Sequence, residues 1–150
     1  MKVQFTLNGR NRIFEVSPDE YLLETLRNNH ITSVRNGCDE STCGVCTVLF
    51  DSKPVLSCTM LTARVDGHHI TTVEGVQNEV EHISHYFGDE GADQCGFCNV
   101  GLALTLHALK SEIKDPTDEE IKTYIVGNLC RCSGYQAQFR AIKRFLGDQK

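Results

Sequence analysis

Gly37-Cys38-Asp39-Glu40-Ser41-Thr42-Cys43-Gly44-Val45-Cys46 places three thiols within nine residues, and Cys58 follows after eleven intervening residues. Further out, the remaining four cysteines form a second set: Cys95-Gly96-Phe97-Cys98, then the close pair Cys130-Arg131-Cys132. The eight cysteines thus divide into two complete sets of four. The first spacing, C-x4-C-x2-C with a distant fourth, is one at which four thiolates hold a [2Fe–2S] cluster. The second set supplies four ligands on a different scaffold. Two clusters in one small chain imply that electrons pass through it.

A disulfide framework is the plainest competitor. Eight cysteines in 150 residues lie below the density at which a short secreted chain reads as disulfide-built. The N-terminal stretch MKVQFTLNGRNRIFEV alternates like a strand and lacks the apolar core of an export signal. The expected location is cytoplasmic, where thiols stay reduced and clustered cysteines serve metals or redox chemistry. Structural zinc is the stronger competitor. Cys95-x2-Cys98 alone would suit a zinc knuckle, but the crowded first set and the C-x-C pair at 130–132 fit zinc spacings poorly.

Composition narrows the rest. A chain of 150 residues with 40% hydrophobic and 23% charged residues is ordinary for one or two globular domains. The net charge of -5 argues against nucleic acid, whose phosphates call for a basic surface. No apolar run approaches the roughly 20 residues of a membrane span, so no membrane insertion is expected. Phosphate-cradling glycine loops and the G-x-S-x-G nucleophile motif are both missing from the sequence. The chain is therefore expected to carry no catalytic residue, and no flavin, nicotinamide or pterin pocket of its own.

Periodicity divides the chain into two parts. Residues 3–7 and 12–16 alternate apolar and polar around Asn8-Gly9, a hairpin signal. Ser17-Pro18-Asp19-Glu20 reads as a helix start, with Ser17 as cap, and Leu22, Leu23 and Leu26 give that helix an apolar face ended by Asn28-Asn29. Strands are predicted over Val45 to Phe50, Val55 to Cys58, near Val65 and over Ile70 to Val73, with a turn at Asp51-Ser52. After Gly75 the period becomes helical: Val80, Ile83, Phe87; Leu102, Leu106, Leu109; Ile121, Ile125; Phe139, Ile142, Leu146. Thr117 to Glu120 is a second capping box, and Gly127 and Gly147 stand at expected helix ends. The reading is an α+β chain of two domains, 1–76 and 77–150, in contact across a short connection.

An iron–sulfur cluster held by four thiolates is an anion, and shielding it from water is costly unless N–H dipoles compensate. Gly37, Ser41, Thr42 and Gly44 among the first ligands, Gly96 in the third pair, and Ser133-Gly134 after the last give the backbone room to approach. Cys95 to Cys98 precede a helix beginning near Asn99 or Val100, whose positive end favours bound negative charge. Arg131, between two ligands, either adds positive charge beside the cluster or is an ordinary surface arginine. His68, His69, His82 and His85 read as solvated side chains, with no carboxylate or third ligand at useful spacing.

The segments Gly37 to Val48, Gln94-Cys95-Gly96-Phe97-Cys98 and Asn128-Leu129-Cys130-Arg131-Cys132-Ser133-Gly134-Tyr135 together resemble the small iron–sulfur subunit of the molybdenum hydroxylases related to xanthine dehydrogenase and aldehyde oxidoreductase. The resemblance spans nearly the whole chain. It implies an N-terminal β-grasp, ferredoxin-like domain followed by a C-terminal four-helix bundle, each holding one [2Fe–2S] cluster. Cys38, Cys43, Cys46 and Cys58 would hold the first; Cys95, Cys98, Cys130 and Cys132 the second.

By the same resemblance, a large partner subunit carries the molybdopterin cofactor and hydroxylates the substrate. Electrons then cross the helical-domain cluster and the ferredoxin-like cluster to FAD on a separate subunit. Gln94 and Cys132 match residues that lie against the pterin. The favoured substrates are N-heteroaromatic, such as nicotinate or a purine, with aldehydes and carbon monoxide also open; a free-standing two-cluster carrier or redox adaptor is the alternative. Asn99-Val100 departs from the usual Thr-Pro of relatives, Asn99 being able to cap the helix instead. Asp39, Ser41 and Thr42 stand where glycine is common, which puts positive φ at those positions in question.

Overall fold

The computed structural model of the protein describes residues 1–148, so residues 149–150 of the predicted second domain lie outside the described residues. β1 (Lys2–Leu7) and β2 (Arg10–Glu15) pair antiparallel, with Val3 opposite Phe14. Asn8 and Gly9, at φ 49° and 77°, make the two-residue turn expected of an Asn-Gly pair. Alternation then sends Val3, Phe5 and Leu7 to one face, where they are buried.

α1 (Leu22–Asn28) presses Leu22, Leu23 and Leu26 onto that face. Its cap is Tyr21, four residues beyond the predicted Ser17. The cause is tertiary. The Glu20 carbonyl accepts from the Thr62 N–H at 2.9 Å and the Leu22 N–H donates to the Met60 carbonyl at 2.7 Å. Residues 20–22 are thus bound to the 60–62 segment, and Ser17 to Glu20 form only a turn, closed by a 3.1 Å bond.

β3 (Thr47–Phe50) and β4 (Lys53–Leu56) form a second antiparallel hairpin around Asp51-Ser52, whose φ values are 46° and 71°. β5 (His69–Thr71) runs parallel to β1 and antiparallel to β3, giving the order β2-β1-β5-β3-β4. Four strand predictions need correction, one being that β5 ends at Thr71, with Val73 already in a 3₁₀ turn, Val73–Gly75. β3 starts at Thr47 because Val45 and Cys46 still belong to the cysteine loop, and β4 ends at Leu56, leaving Cys58 in a 3₁₀ turn, Ser57–Thr59. Pro54 is tolerated because β4 is an edge. Val65 lies in a second 3₁₀ turn, Thr62–Val65, where it is fully buried without pairing.

Among the described residues, four helices follow: α2 (Gln77–Asp89), α3 (Asn99–Glu112), α4 (Asp118–Ile125) and α5 (Gln136–Gly147). Thr117 caps α4 as predicted; its hydroxyl accepts from the Glu120 N–H and the Glu120 carboxylate accepts from the Thr117 N–H at 2.7 Å. α3 is capped by Cys98, so Asn99 is its first residue and donates to Asp93 at 2.8 Å instead of capping. Gly147 closes α5 from within, with Asp148 as cap. The helices bury Ile83, Phe87, Leu102, Leu106, Ile142 and Phe145 together, each full burial being worth roughly 1.5–3 kcal/mol. Glu90, at the end of α2, holds Arg140 and Arg144 of α5 at 2.9 Å each.

The two parts of this α+β chain meet where α3 lies against the sheet, with Leu49, Leu104 and Ala108 forming a small buried cluster. Gly44 and Gly101 make the closest approach. A Cβ on Gly101 would overlap the Gly44 carbonyl oxygen, and one on Gly44 would overlap the Gly127 carbonyl. This seam lies directly beside both cysteine sets.

Candidate metal centres

The loop from Gly37 to Cys46 joins α1 to β3 and turns back through Ser41 at φ 58° and Gly44 at φ 74°. Of the three residues that replace glycine here, Ser41 alone adopts the left-handed conformation. The fold brings the first four cysteines together as two pairs, Cys38 with Cys43 and Cys46 with Cys58. The Cys43 thiol and the N–H groups of Glu40, Thr42 and Cys43 pull Cys38 down to about 6, the Thr42 N–H lying 3.4 Å from its sulfur. Burial pushes Cys46 up to about 11 and raises Cys43 as well.

The second set also forms two pairs. Cys95 and Cys132 lie at the surface with their sulfurs 3.5 Å apart, and Cys98 pairs with Cys130 deeper in. Burial pushes Cys98 up to about 11. Burial also raises Cys130, but the Ser133 hydroxyl and the N–H groups of Ser133 and Cys132 outweigh it and lower the thiol. Both N–H groups stand 3.4 Å from Cys130 Sγ. Cys95 is lowered, first by the Phe97 N–H, and Cys132 is raised by its partner Cys95. The Tyr135 hydroxyl accepts from the Cys130 N–H at 3.0 Å and fixes the loop, which Tyr135 leaves at φ 68°.

Two pairs per set is the disposition a [2Fe–2S] core requires, since each iron takes two thiolates. N–H groups aimed at sulfur supply the compensation an anionic cluster needs. The residues therefore fit the cluster. A cavity of about 310 Å³ is lined by Cys95, Cys98, Cys130 and Cys132 and also reaches Cys43, while a cleft of about 320 Å³ lies beside Cys38 and Cys58.

The two sets are joined through protein. The Leu129 N–H donates to the Cys43 carbonyl at 2.9 Å, so a cysteine of the first set is one hydrogen bond from the neighbour of Cys130. Arg35 bonds the Gly96 carbonyl and lies over the Phe97 ring at 5.3 Å, tying the first loop to the third pair.

Other predicted residues fall variously. Gln94 is exposed and donates to the Gly91 carbonyl at 3.0 Å, and Cys132 and Arg131 are exposed at the second cavity. His68 does meet a carboxylate, Asp51, at 2.7 Å, contrary to the sequence reading, but this pair pins a hairpin turn. Sequence reasoning passed over Arg35 and Gln138, and quoted Tyr135 in a motif without giving it a role. A signal existed for Gln138: it is polar yet shares the stripe of Ala141, Ile142 and Phe145.

The metal-free thiols should differ in reactivity. At pH 7 Cys38 is roughly 90% thiolate and Cys46 and Cys98 almost wholly protonated, given thiols near 6 and 11. Iodoacetamide followed by peptide mapping should modify Cys38 first, and lowering the pH from 7 to 5 should slow that reaction about tenfold. Equal labelling of Cys38 and Cys46 at pH 7 would contradict this.

Comparison with known proteins follows the same division. Residues 5–70 match the family described as "2Fe-2S iron-sulfur cluster binding domain", and residues 72–143 the family described as "[2Fe-2S] binding domain". The chain is 43% identical over 144 residues to the nicotinate dehydrogenase small FeS subunit of Eubacterium barkeri, covering 94% of this chain and 92% of that one. The structure superposes on quinoline 2-oxidoreductase from Pseudomonas putida 86 with TM-score 0.89 and 34% identity, covering 99% of this chain and 94% of that chain. It superposes on aldehyde oxidoreductase from Desulfovibrio desulfuricans ATCC 27774 with TM-score 0.90 and 32% identity, covering 99% of this chain and 17% of that much longer one.

Proposed function

Since this chain belongs to the family of small iron–sulfur subunits of the molybdenum hydroxylases related to xanthine dehydrogenase and aldehyde oxidoreductase, we propose that it relays electrons between two partner subunits of a heteromeric complex. One partner is a large subunit bearing the molybdopterin cofactor; the other bears FAD. The chain itself makes and breaks no substrate bond. When bound, each [2Fe–2S] cluster takes up and releases one electron.

Residues 1–76 form a β-grasp, ferredoxin-like domain with Cys38, Cys43, Cys46 and Cys58 as ligands. The second domain, bounded at 77–150, is a four-helix bundle over its described residues, with Cys95, Cys98, Cys130 and Cys132 as ligands. The family matches meeting near residues 70–72 support this boundary. Exposure of Cys132 at the second cavity supports a role facing the pterin, with Gln94 beside it. In this reading the bundle end meets the large subunit and the cleft beside Cys38 and Cys58 the flavin subunit. Substrates are N-heteroaromatic, in keeping with the nicotinate and quinoline named for two relatives. Among the described residues no helix is long and apolar enough to cross a membrane. A cytoplasmic location is part of this reading, because thiols stay reduced there and clustered cysteines serve metals or redox chemistry.

The observation that carries the relay is the 2.9 Å bond from the Leu129 N–H to the Cys43 carbonyl. It gives a short, rigid route from Cys130 through one peptide and one hydrogen bond to Cys43.

Anaerobic purification under native conditions tests the proposal. The expected product is a complex containing molybdenum and flavin, with about four irons and matching acid-labile sulfide per copy of this chain. A lone monomer, fully active toward several electron acceptors, would favour the free-standing carrier instead.

A further inference from the structure

Resting on the ligand assignment above, we propose that Gln138 sets the reduction potential of the second cluster, its side-chain amide donating to Cys98 Sγ and holding that potential up. Gln138 is 2% exposed. It stands in the first turns of α5, and the residues three, four and seven positions on, Ala141, Ile142 and Phe145, are fully buried. This is the core stripe of the helix, where an amide loses its hydration and destabilises the fold unless it finds a partner. The partner is a cysteine sulfur: Nε2 donates to Cys98 Sγ at 3.6 Å.

Cys98 is itself 9% exposed, so little water screens this contact. In such surroundings an N–H dipole acts on charge far more strongly than at the surface. One-electron reduction adds a negative charge to the cluster and its sulfurs. A donor aimed at sulfur therefore favours the reduced form over the oxidised form, which raises the potential. The other donors to this deeper pair are the Cys132 and Ser133 N–H groups and the Ser133 hydroxyl on Cys130. Backbone groups would be present whatever residue stood there. Gln138 is the side-chain donor to Cys98, and the sequence could have placed leucine in its stead without loss of packing. It touches a ligand rather than the reacting centre and is a positioning residue.

The test is an EPR-monitored redox titration of the full-length chain carrying both clusters, comparing the native protein with Gln138→Met. Methionine keeps the volume and removes the donor. The equilibrium constant for reducing the second cluster should fall about tenfold, equivalent to about 59 mV for one electron, with the first cluster unmoved. Both potentials unchanged, with both signals intact, would overturn the proposal. Native protein labelled with ¹⁵N in its glutamine side-chain amides provides a measurement independent of any variant's folding. A ¹⁵N coupling at the reduced second cluster is expected, and its absence would also overturn the proposal. Failure to detect a second cluster in the native protein would instead overturn the ligand assignment.

Discussion

Cys130→Ser should leave a folded protein that shows one EPR signal on reduction where the native chain shows two, and the complex containing it should no longer turn over. Serine replaces a soft thiolate with a hydroxyl that iron–sulfur clusters accept poorly. The surroundings sharpen the loss. Cys130 takes two N–H groups at 3.4 Å and the Ser133 hydroxyl at 3.3 Å, a set of donors placed for a large, charged sulfur. The shorter C–O bond would withdraw the oxygen from all of them. Cys43→Ser should remove the other signal and spare most of the first. Substrate should still reduce molybdenum in the Cys130→Ser complex, since the block lies after that step. If either change abolished both signals in a protein that still folds, the division into two independent sets would be wrong.

Gly101→Ala should destabilise the protein by about 2–4 kcal/mol, although alanine is the better helix former. In an exposed helix the same change would stabilise by roughly 1 kcal/mol, so the sign itself is the test. Gly101 lies within α3, and its added Cβ would overlap the Gly44 carbonyl oxygen and stand 3.1 Å from Val45 Cα. Both are backbone atoms, which cannot swing aside as a side chain would. The Gly44 carbonyl also accepts from the Thr47 hydroxyl at 2.7 Å, so moving it disturbs the start of β3. Gly44→Ala adds the strain of φ 74° to an overlap with the Gly127 carbonyl and should cost more. Thermal unfolding followed by circular dichroism should show a Tm lower by roughly 5–15 °C for Gly101→Ala. An unchanged or raised Tm would mean that the seam between the two parts is looser than the structure shows.

Much of this protein was legible in its sequence because the deciding signals are local. Asn8-Gly9 and the alternation around it specify a hairpin regardless of context, and Thr117 to Glu120 cap α4 through their own side chains. The cysteine spacings likewise name the cluster type before any fold is known. What the sequence hid depends on long-range pairing. Ser17 to Glu20 has every local mark of a helix start, yet the strand-like bridge from Tyr21 to Leu61 delays the helix. Val65 has strand character but is buried by a 3₁₀ turn, whose first residue, Thr62, is held by its N–H to the Glu20 carbonyl.

The sites divide the same way. Which eight residues gather was readable; how they pair was not, because Cys95 meets Cys132 only through the return of the chain from α4. The Leu129 to Cys43 bond and the Gly44 to Gly101 contact join segments more than 50 residues apart, and glycine in a sequence gives no hint of which neighbour it admits. Gln138 was visible as a polar residue in phase with an apolar stripe, a mismatch that points to function.

Between Cys98 and Cys130 run 31 residues that carry α3 and α4, against 11 between Cys46 and Cys58. By the ligand assignment proposed above, an inorganic core grasped at both ends would tie that long excursion shut, and the entropy of closing it grows only slowly with its length. Loading the cofactor therefore adds stability to a helical half that already closes on its own core. A chain that has not received its metal keeps that fold but lacks the tie, so heat should open its helical half sooner than that of a loaded chain.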